Sequence, residues 1–224
     1  MRAQSKPVGP ALVAYCILFF AAWTGREFLL RPILDTHLTF WTAIAVGSIT
    51  KIALWTLPAL CLVKYFEGDV WLPLARMFPV KISWRPYLAM AAAILAYHVG
   101  IAFVARGHLS IHPDFQASAL VGTVLLVGIT EEAVFRGWML NTLLALMYRW
   151  PAVIVSGVLF VLVHLPVWIY QGALDTPVLL LTNVLGIFLL SVLFSWTFIR
   201  SRSIWVPILL HMSWNLCNIL FLGV

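Results

Sequence analysis

Long apolar runs dominate this chain, and short polar segments separate them. A helix needs roughly 20 mainly apolar residues to cross a bilayer. Seven windows come close to or exceed that length: residues 9–24, 40–63, 87–105, 116–148, 151–170, 175–199 and 203–223. The pattern therefore predicts an all-α fold, a polytopic transmembrane helix bundle of about seven spans.

Two segments depart from this simple pattern. Residues 116–148 would form a helix of roughly 50 Å at 1.5 Å per residue, whereas the hydrocarbon core is only about 30 Å thick. We expect this helix to break, or to turn along the interface, near residues 141–148, and an eighth span is the alternative. Residues 26–37, "REFLLRPILDTH", mix charged with apolar positions, which predicts an interfacial elbow.

Composition supports a membrane protein over a soluble one. Hydrophobic residues make up 63% of the 224 residues and charged residues 10%, and the mean hydropathy is +1.01. A soluble domain of this size needs more polar surface. We interpret residues 1–224 as one transmembrane domain with its motif-bearing half at about 116–223. The basic start followed by an apolar run is also typical of a signal peptide. No small-residue cleavage site precedes Gly25, so we expect an uncleaved first span.

The basic residues suggest an orientation. They form neither a stripe nor a tail, so the net charge of +6 does not indicate a nucleic-acid partner. A cytoplasmic N-terminus places nine Lys and Arg residues in inner segments and three in outer ones, as the positive-inside rule expects. The short loops and the small size of the chain favour the bacterial inner membrane. Labelling of cysteines introduced into the loops, from each side of the membrane, would measure the orientation. The inner set is Arg2, Lys6, Lys64, Arg76, Lys81, Arg85, Arg149, Arg200 and Arg202, and the outer set is Arg26, Arg31 and Arg106.

Three charged residues lie inside the fourth apolar window, in "GITEEAVFRGWML". Each costs around 2.5–3.5 kcal/mol at mid-span on insertion scales, so such residues persist when they are paired, hydrated or functional. Glu132 and Arg136 are four positions apart on one helix face and can form an ion pair. Glu131 is rotated about 100° away and has no partner in its own helix. We predict a structural Glu132–Arg136 pair and a functional Glu131.

Two later windows carry polar residues at the same helical spacing. Phe160 and His164 are four apart in "GVLFVLVHLP", and His211 and Asn215 are four apart in "VPILLHMSWN". A single histidine in a span is more often a packing residue than a catalytic one. A carboxylate, two imidazoles and an amide on three spans can instead converge in one polar cavity. Counting the helical rise from the cytoplasmic span ends places them in the cytoplasmic half or near the membrane midplane.

The three polar groups form a recognisable set of motifs. "EEAVFR" fits the pattern EExxxR, "FVLVH" fits FxxxH and "HMSWN" fits HxxxN, in that order along residues 120–220. In this respect the chain resembles the CPBP (Abi) family of intramembrane proteases. That family includes the CAAX prenyl endopeptidases and bacterial bacteriocin-processing and self-immunity proteins.

The resemblance implies peptide-bond hydrolysis within or at the membrane, on a membrane-associated peptide or protein. It implies that Glu131 activates a water with help from His164, and that His211 and Asn215 stabilise the tetrahedral oxyanion. Glu132, Arg136 and Phe160 would support this site.

Two alternatives remain open at the level of sequence. Glu131, His164 and His211 could bind one zinc ion with a water in the fourth position. We favour the cofactor-free version because the chain has no HExxH motif and no CxxC pair. The second alternative is a proton-coupled transporter, a channel or a non-catalytic membrane partner, because intramembrane Glu, His and Arg also mark ion pathways. No inverted repeat with paired broken helices supports it. Convergence of the polar side chains at one point would favour the protease, whereas their alignment along a path would favour the transporter or channel.

Overall fold

The computed structural model describes residues 6–223, apart from the side chains of residues 35, 40, 175, 177 and 179, and within them the chain folds into seven long helices without a β-strand. The predicted all-α bundle is therefore confirmed. Several helices contain π-helical turns. Their bounds are as follows: α1, Val8–Gly25, π-helical Arg26–Leu30 and Arg31–His37; α2, Phe40–Lys51, π-helical Ile52–Thr56 and Leu57–Tyr65; α3, Arg85–Arg106; α4, π-helical Leu120–Leu126, Val127–Glu132, π-helical Ala133–Leu140 and Asn141–Leu146; α5, Arg149–Leu162 and Leu165–Tyr170; α6, Pro177–Ser201; α7, Trp205–Cys217 and π-helical Asn218–Leu222.

Six of these helices are long and apolar enough to cross a membrane, and α4 is the exception. Its apolar sequence is interrupted by Glu131, Glu132 and Arg136. It is also the central helix, because α1, α2, α5, α6 and α7 all contact it, and every residue from 130 to 143 is buried. The helix that carries the charges is thus largely shielded from lipid, which is how membrane proteins accommodate ionisable side chains.

Helix α4 has no break at Asn141 itself but ends inside residues 141–148, the range in which a break or a turn along the interface was predicted. The turn along the interface stays a prediction. The helix continues to Leu146 and is about 40 Å long at 1.5 Å per residue. The Asn141 side chain instead binds the backbone of Leu72: its Nδ2 donates to the Leu72 carbonyl at 2.8 Å, and its Oδ1 accepts from the Leu72 amide at 2.7 Å. The loop between α2 and α3 therefore supplies both hydrogen-bond partners of this amide. Leu72 and Asn141 are 69 positions apart, so helical spacing could not predict their contact.

The predicted interfacial elbow at residues 26–37 was wrong, because this segment continues α1 as helix. Glu27 is fully buried and pairs with Arg26 and with Arg31, the latter at 2.9 Å. Glu27 thus has two arginine partners within the helical segment itself.

Aromatic packing and small residues hold α1, α2, α4 and α7 close to one another. Trp23 of α1 and Trp55 of α2 pack with ring centroids 4.4 Å apart, and Phe19 contacts Phe135 of α4 at 5.9 Å. A Cβ added at Gly128 would lie 2.6 Å from Cγ of Met212. A glycine at this point lets α4 and α7 approach closely, as small residues do between membrane helices.

Contacts between connections define the two ends of the bundle. At one end the Lys6 ammonium donates to the Tyr65 carbonyl at 2.7 Å, and we call this the N-terminal end. At the other, the distal end, the His112 amide donates to the Leu220 carbonyl at 2.7 Å. The alternation of helix directions agrees with the predicted topology, and the assignment of the N-terminal end to the cytoplasm stays a prediction.

Candidate active site

A cavity of about 720 Å³ lies between α1, α2, α4, α5 and α7. Glu131, His164, His211 and Asn215 all line it. The four polar residues singled out from the sequence therefore meet at one cavity, the arrangement that an active site requires.

Most of the cavity lies in the distal half of the bundle. Its lining comes from the C-terminal halves of α1 and α5 and from the N-terminal halves of α2 and α4. Helix α7 contributes His211 from its N-terminal half and Asn215 from its C-terminal half. Glu131 lies roughly 16 Å from the start of α4 at Leu120 and farther from its end. The position of the cavity relative to the membrane depends on the orientation of the chain, so the cytoplasmic or midplane position stays a prediction.

The Glu131 carboxylate is nearly buried and has no protein partner. Glu131 is 8% exposed. Its carboxylate makes no hydrogen bond or ion pair among the described residues. Lys51 and His164 are electrostatic neighbours of this carboxylate. Because Glu131 also lines the cavity, its oxygens are available to a water or a substrate.

A break in α5 positions His164. The helix stops at Leu162 and resumes at Leu165, where Pro166 cannot donate a backbone hydrogen bond. Trp23 secures the break by donating its indole N–H to the Val163 carbonyl at 2.7 Å. His164 Nδ1 lies 2.8 Å from the Phe160 carbonyl, which only accepts, so Nδ1 carries the proton. In a neutral imidazole, Nε2 is then a proton acceptor.

Phe160 packs against both histidines of the site. Its ring centroid lies 5.4 Å from that of His164 and 6.0 Å from that of His211. The Arg136 guanidinium lies over the same ring at 4.5 Å. The motif FxxxH thus supplies a carbonyl that orients one histidine and a ring that separates the cavity from the charged network behind it.

That network is centred on Glu132. As predicted, Arg136 Nη1 donates to Glu132 Oε1, at 3.1 Å. The same oxygen also accepts from His211 Nδ1 at 2.8 Å. Arg136 in turn donates through Nη2 to the Ser191 hydroxyl at 2.8 Å and to its carbonyl at 3.1 Å. Glu132, Arg136 and Ser191 are fully buried, and the network joins α4, α6 and α7.

The Glu132–His211 contact changes what His211 can do. Helix spacing reveals partners three and four positions apart, so it identified Arg136 but not His211 as a partner of Glu132. Because Nδ1–H is given to Glu132, His211 can donate a second hydrogen bond only through Nε2–H of an imidazolium. The Glu132 carboxylate carries the charge complementary to that form. Phe194 stacks on the imidazole at a centroid distance of 5.1 Å.

Asn215 connects α7 to α4 at the edge of the cavity. Its Nδ2 donates to the Thr123 carbonyl at 3.0 Å. An amide nitrogen carries two hydrogens, so this contact uses one and orients the other. Asn215 lines the cavity, so its amide can serve as a donor to a bound group.

Sequence reasoning missed the residues that α1 and α2 contribute. Arg26, Glu27, Arg31 and Lys51 line the same cavity. The Lys51 Nζ lies 5.4 Å from the ring centroids of Trp23 and Trp55. A single lysine within an apolar window gives no signal of a shared cavity. Ser191 gave none either, because one serine in an apolar helix is common.

The described part of the chain contains no cluster of metal ligands. Among the side chains that the structure describes, no three from His, Cys, Asp or Glu come close enough to hold a metal ion. Cys16, Cys61 and Cys217 are free thiols. Independence from metal stays a prediction that an assay must test.

Comparison with known families supports the interpretation of the motifs. Residues 113–217 match a family model described as type II CAAX prenyl endopeptidase Rce1-like. This range includes Glu131, His164, His211 and Asn215 and confirms the resemblance to the CPBP family. No curated protein and no solved structure matches the chain significantly. The family match and the apolar helices together support an integral membrane protease of the CAAX type in general.

Proposed function

We propose that this chain is a metal-free intramembrane endopeptidase with Glu131 as its general base, and the match of residues 113–217 to the CAAX endopeptidase family model supports the proteolytic activity. The observation that carries the proposal is the Glu131 carboxylate, which lines the cavity without a protein partner. His164, His211 and Asn215 line the same cavity. A base, a proton acceptor and hydrogen-bond donors are the groups that peptide hydrolysis needs.

In the first step Glu131 takes a proton from a water, and the resulting hydroxide attacks the carbonyl carbon of the scissile peptide bond. Nε2 of His164 is the second acceptor available to orient that water, since Nδ1 is held by Phe160. The C–N bond then breaks, and the proton held on Glu131 passes to the leaving amine. Atoms and charge balance without a cofactor.

Two donors face the oxygen on which negative charge develops. Asn215 offers the amide hydrogen that Thr123 does not use, and His211 offers Nε2–H when protonated. One such donor in a dry site is typically worth about 2.7–4 kcal/mol in the transition state. Glu132 holds His211 through Nδ1, so its role is to position a catalytic residue.

The substrate we propose is a membrane-associated peptide or protein. The cavity lies inside a bundle with six apolar helices, so a substrate reaches it most readily from the bilayer or its interface. Localisation in a bacterial inner membrane with a cytoplasmic N-terminus is part of the same proposal.

The proposal is tested with purified protein in nanodiscs and two peptides, one carrying a farnesylated CAAX end and one anchored by an apolar helix. Products are identified by mass spectrometry, which locates the cleaved bond. Cleavage by the wild-type protein that disappears in Glu131→Gln supports the proposal. Cleavage of equal rate in both proteins contradicts it.

Replacing Asn215 by Ala is expected to lower kcat by about 10²–10³, because one donor to the oxyanion is removed while the base remains. The KM should change much less. Asn183→Ala is a suitable comparison, since Asn183 lies on α6, from which no described residue lines the cavity. A large rise in KM with unchanged kcat would show that Asn215 binds substrate instead.

Activity is expected to survive exhaustive treatment with strong chelators, and the purified protein should contain no stoichiometric zinc. The reasons are the missing HExxH motif and the scarcity of ligands around the cavity among residues 6–223. Elemental analysis and rates before and after chelation measure this. Loss of activity that one added metal restores would favour the zinc version, with Glu131, His164 and His211 as ligands.

A further inference from the structure

The catalytic cavity has a second charged region that the mechanism above does not use. It consists of Arg26, Glu27, Arg31 and Lys51, from the distal half of α1 and the adjoining half of α2. All four precede residues 113–217, the range of the family match. A function for this region therefore has to be argued from its own contacts.

Two cationic side chains of this region, Arg26 and Lys51, have donors without an acceptor among the described residues. Glu27 is fully buried and already binds both Arg26 and Arg31. Nε of Arg26 is buried without an acceptor among residues 6–223. The Lys51 ammonium likewise has no hydrogen bond or ion pair there. An ammonium carries three donor hydrogens and no acceptor, so it binds groups with oxygen acceptors.

Glu131 is not a hydrogen-bond partner of Lys51. Its carboxylate exerts the strongest favourable electrostatic influence on Lys51, but the two groups form no ion pair within 4 Å among the described residues. The walls beside Lys51 are the indole rings of Trp23 and Trp55. A charged group at membrane depth is costly unless it is paired, hydrated or functional, and Lys51 has access to the cavity.

We propose that Lys51, with Arg26 beside it, forms an anion-binding subsite of the catalytic cavity. Its ligand is the carboxylate or phosphate of an amphiphilic molecule, whose apolar part lies along the indole-lined wall. The proposal rests on the proposed function only where that molecule is the substrate. Two sources share this chemistry: the terminal carboxylate of a bound peptide, and the headgroup of a membrane phospholipid.

The first experiment measures peptide binding in a protein that does not cleave. Wild-type Lys51 and Lys51→Met are compared, both in the Glu131→Gln background in nanodiscs, with a dansylated, farnesylated CAAX peptide. The peptide is used with a free carboxylate and as the carboxamide. A hydrogen bond to a charged group is worth about 1.5–3 kcal/mol, so the acid should bind about 10- to 100-fold more tightly. Lys51→Met should reduce that ratio to nearly one, and Lys51→Arg should retain most of it.

The second experiment tests the lipid as the source of the anion. Retained lipid is measured by native mass spectrometry after incubation with phosphatidic acid or with diacylglycerol, which lacks the phosphate. Preferential retention of phosphatidic acid that Lys51→Met abolishes identifies a lipid phosphate as ligand. Lys64→Met is the matched control, because Lys64 is exposed and pairs with Glu67 at the N-terminal end, at 2.7 Å.

The outcomes separate this subsite from the protease proposal. A carboxylate preference or a phosphate preference that depends on Lys51 supports the subsite and names the source. Absence of both dependences overturns it, whether or not the peptide binds. Failure of the Glu131-containing protein to cleave any peptide contradicts the protease proposal alone, since both binding measurements are made without cleavage.

Discussion

Replacing Glu131 by Gln is expected to lower the cleavage rate by about 10²–10⁴, the usual contribution of a general base, without loss of stability. Gln is nearly the same size but cannot take a proton from water at neutral pH. The Glu131 carboxylate makes no hydrogen bond or ion pair among residues 6–223, so the substitution breaks no contact. The thermal unfolding midpoint in detergent should be unchanged or slightly higher, because a charge is removed from a nearly buried position.

A matched control for this variant is Glu67→Gln, at an exposed residue that pairs with Lys64. It should retain both the rate and the unfolding midpoint, since exposed pairs contribute little to stability. A strongly destabilised Glu131→Gln would mean that this carboxylate has a structural role. A stable variant with the wild-type rate would remove Glu131 as the base.

The adjacent substitution, Glu132→Gln, is expected to have the opposite profile. It leaves the Arg136 guanidinium fully buried without its carboxylate, and breaking a buried ion pair costs about 3–5 kcal/mol. His211 also loses the charge that complements its imidazolium. We expect a large fall in the unfolding midpoint and in membrane accumulation. Protein that does fold should be slower by about 10²–10³, as for the loss of one oxyanion donor.

A double variant separates the two effects of Glu132. Glu132→Gln combined with Arg136→Met removes both charges, and replacing a buried pair by apolar groups is often neutral for stability. The double variant should therefore regain much of the lost stability, whereas its rate should stay low because His211 still lacks a carboxylate. Recovery of the rate together with stability would show that Glu132 acts only through Arg136. If Glu131→Gln is destabilised and Glu132→Gln is not, the two glutamates have been assigned the wrong roles.

Helical spacing predicted one of the two contacts of Glu132 and could not predict the other. Glu132 and Arg136 are four positions apart, so their ion pair was predictable, and the structure contains it at 3.1 Å. The bond between Glu132 and His211 joins residues 79 positions apart and depends on the close approach of α4 and α7 at Gly128. Ser191 is also out of reach of spacing arguments, because its partner Arg136 lies on another helix.

Sequence alone determined the class of the molecule and the set of polar residues at its centre. Apolar runs long enough to cross a bilayer leave few folds other than a helix bundle. Charged and polar side chains within such runs are costly enough to point to function before any contact is known. Glu131, His164, His211 and Asn215 were found in this way, and they line one cavity.

Only the tertiary structure decided how these residues are paired and which others join them. It placed the charge-bearing α4 at the centre of the bundle, continued α1 through residues 26–37 and set most of the cavity in the distal half. Helix packing is governed by contacts between residues far apart in the chain, such as the Asn141 side chain with the Leu72 backbone and the Trp23 indole with the Val163 carbonyl. Periodicity describes one helix at a time, so it identifies the face that must be buried but not the neighbour that buries it.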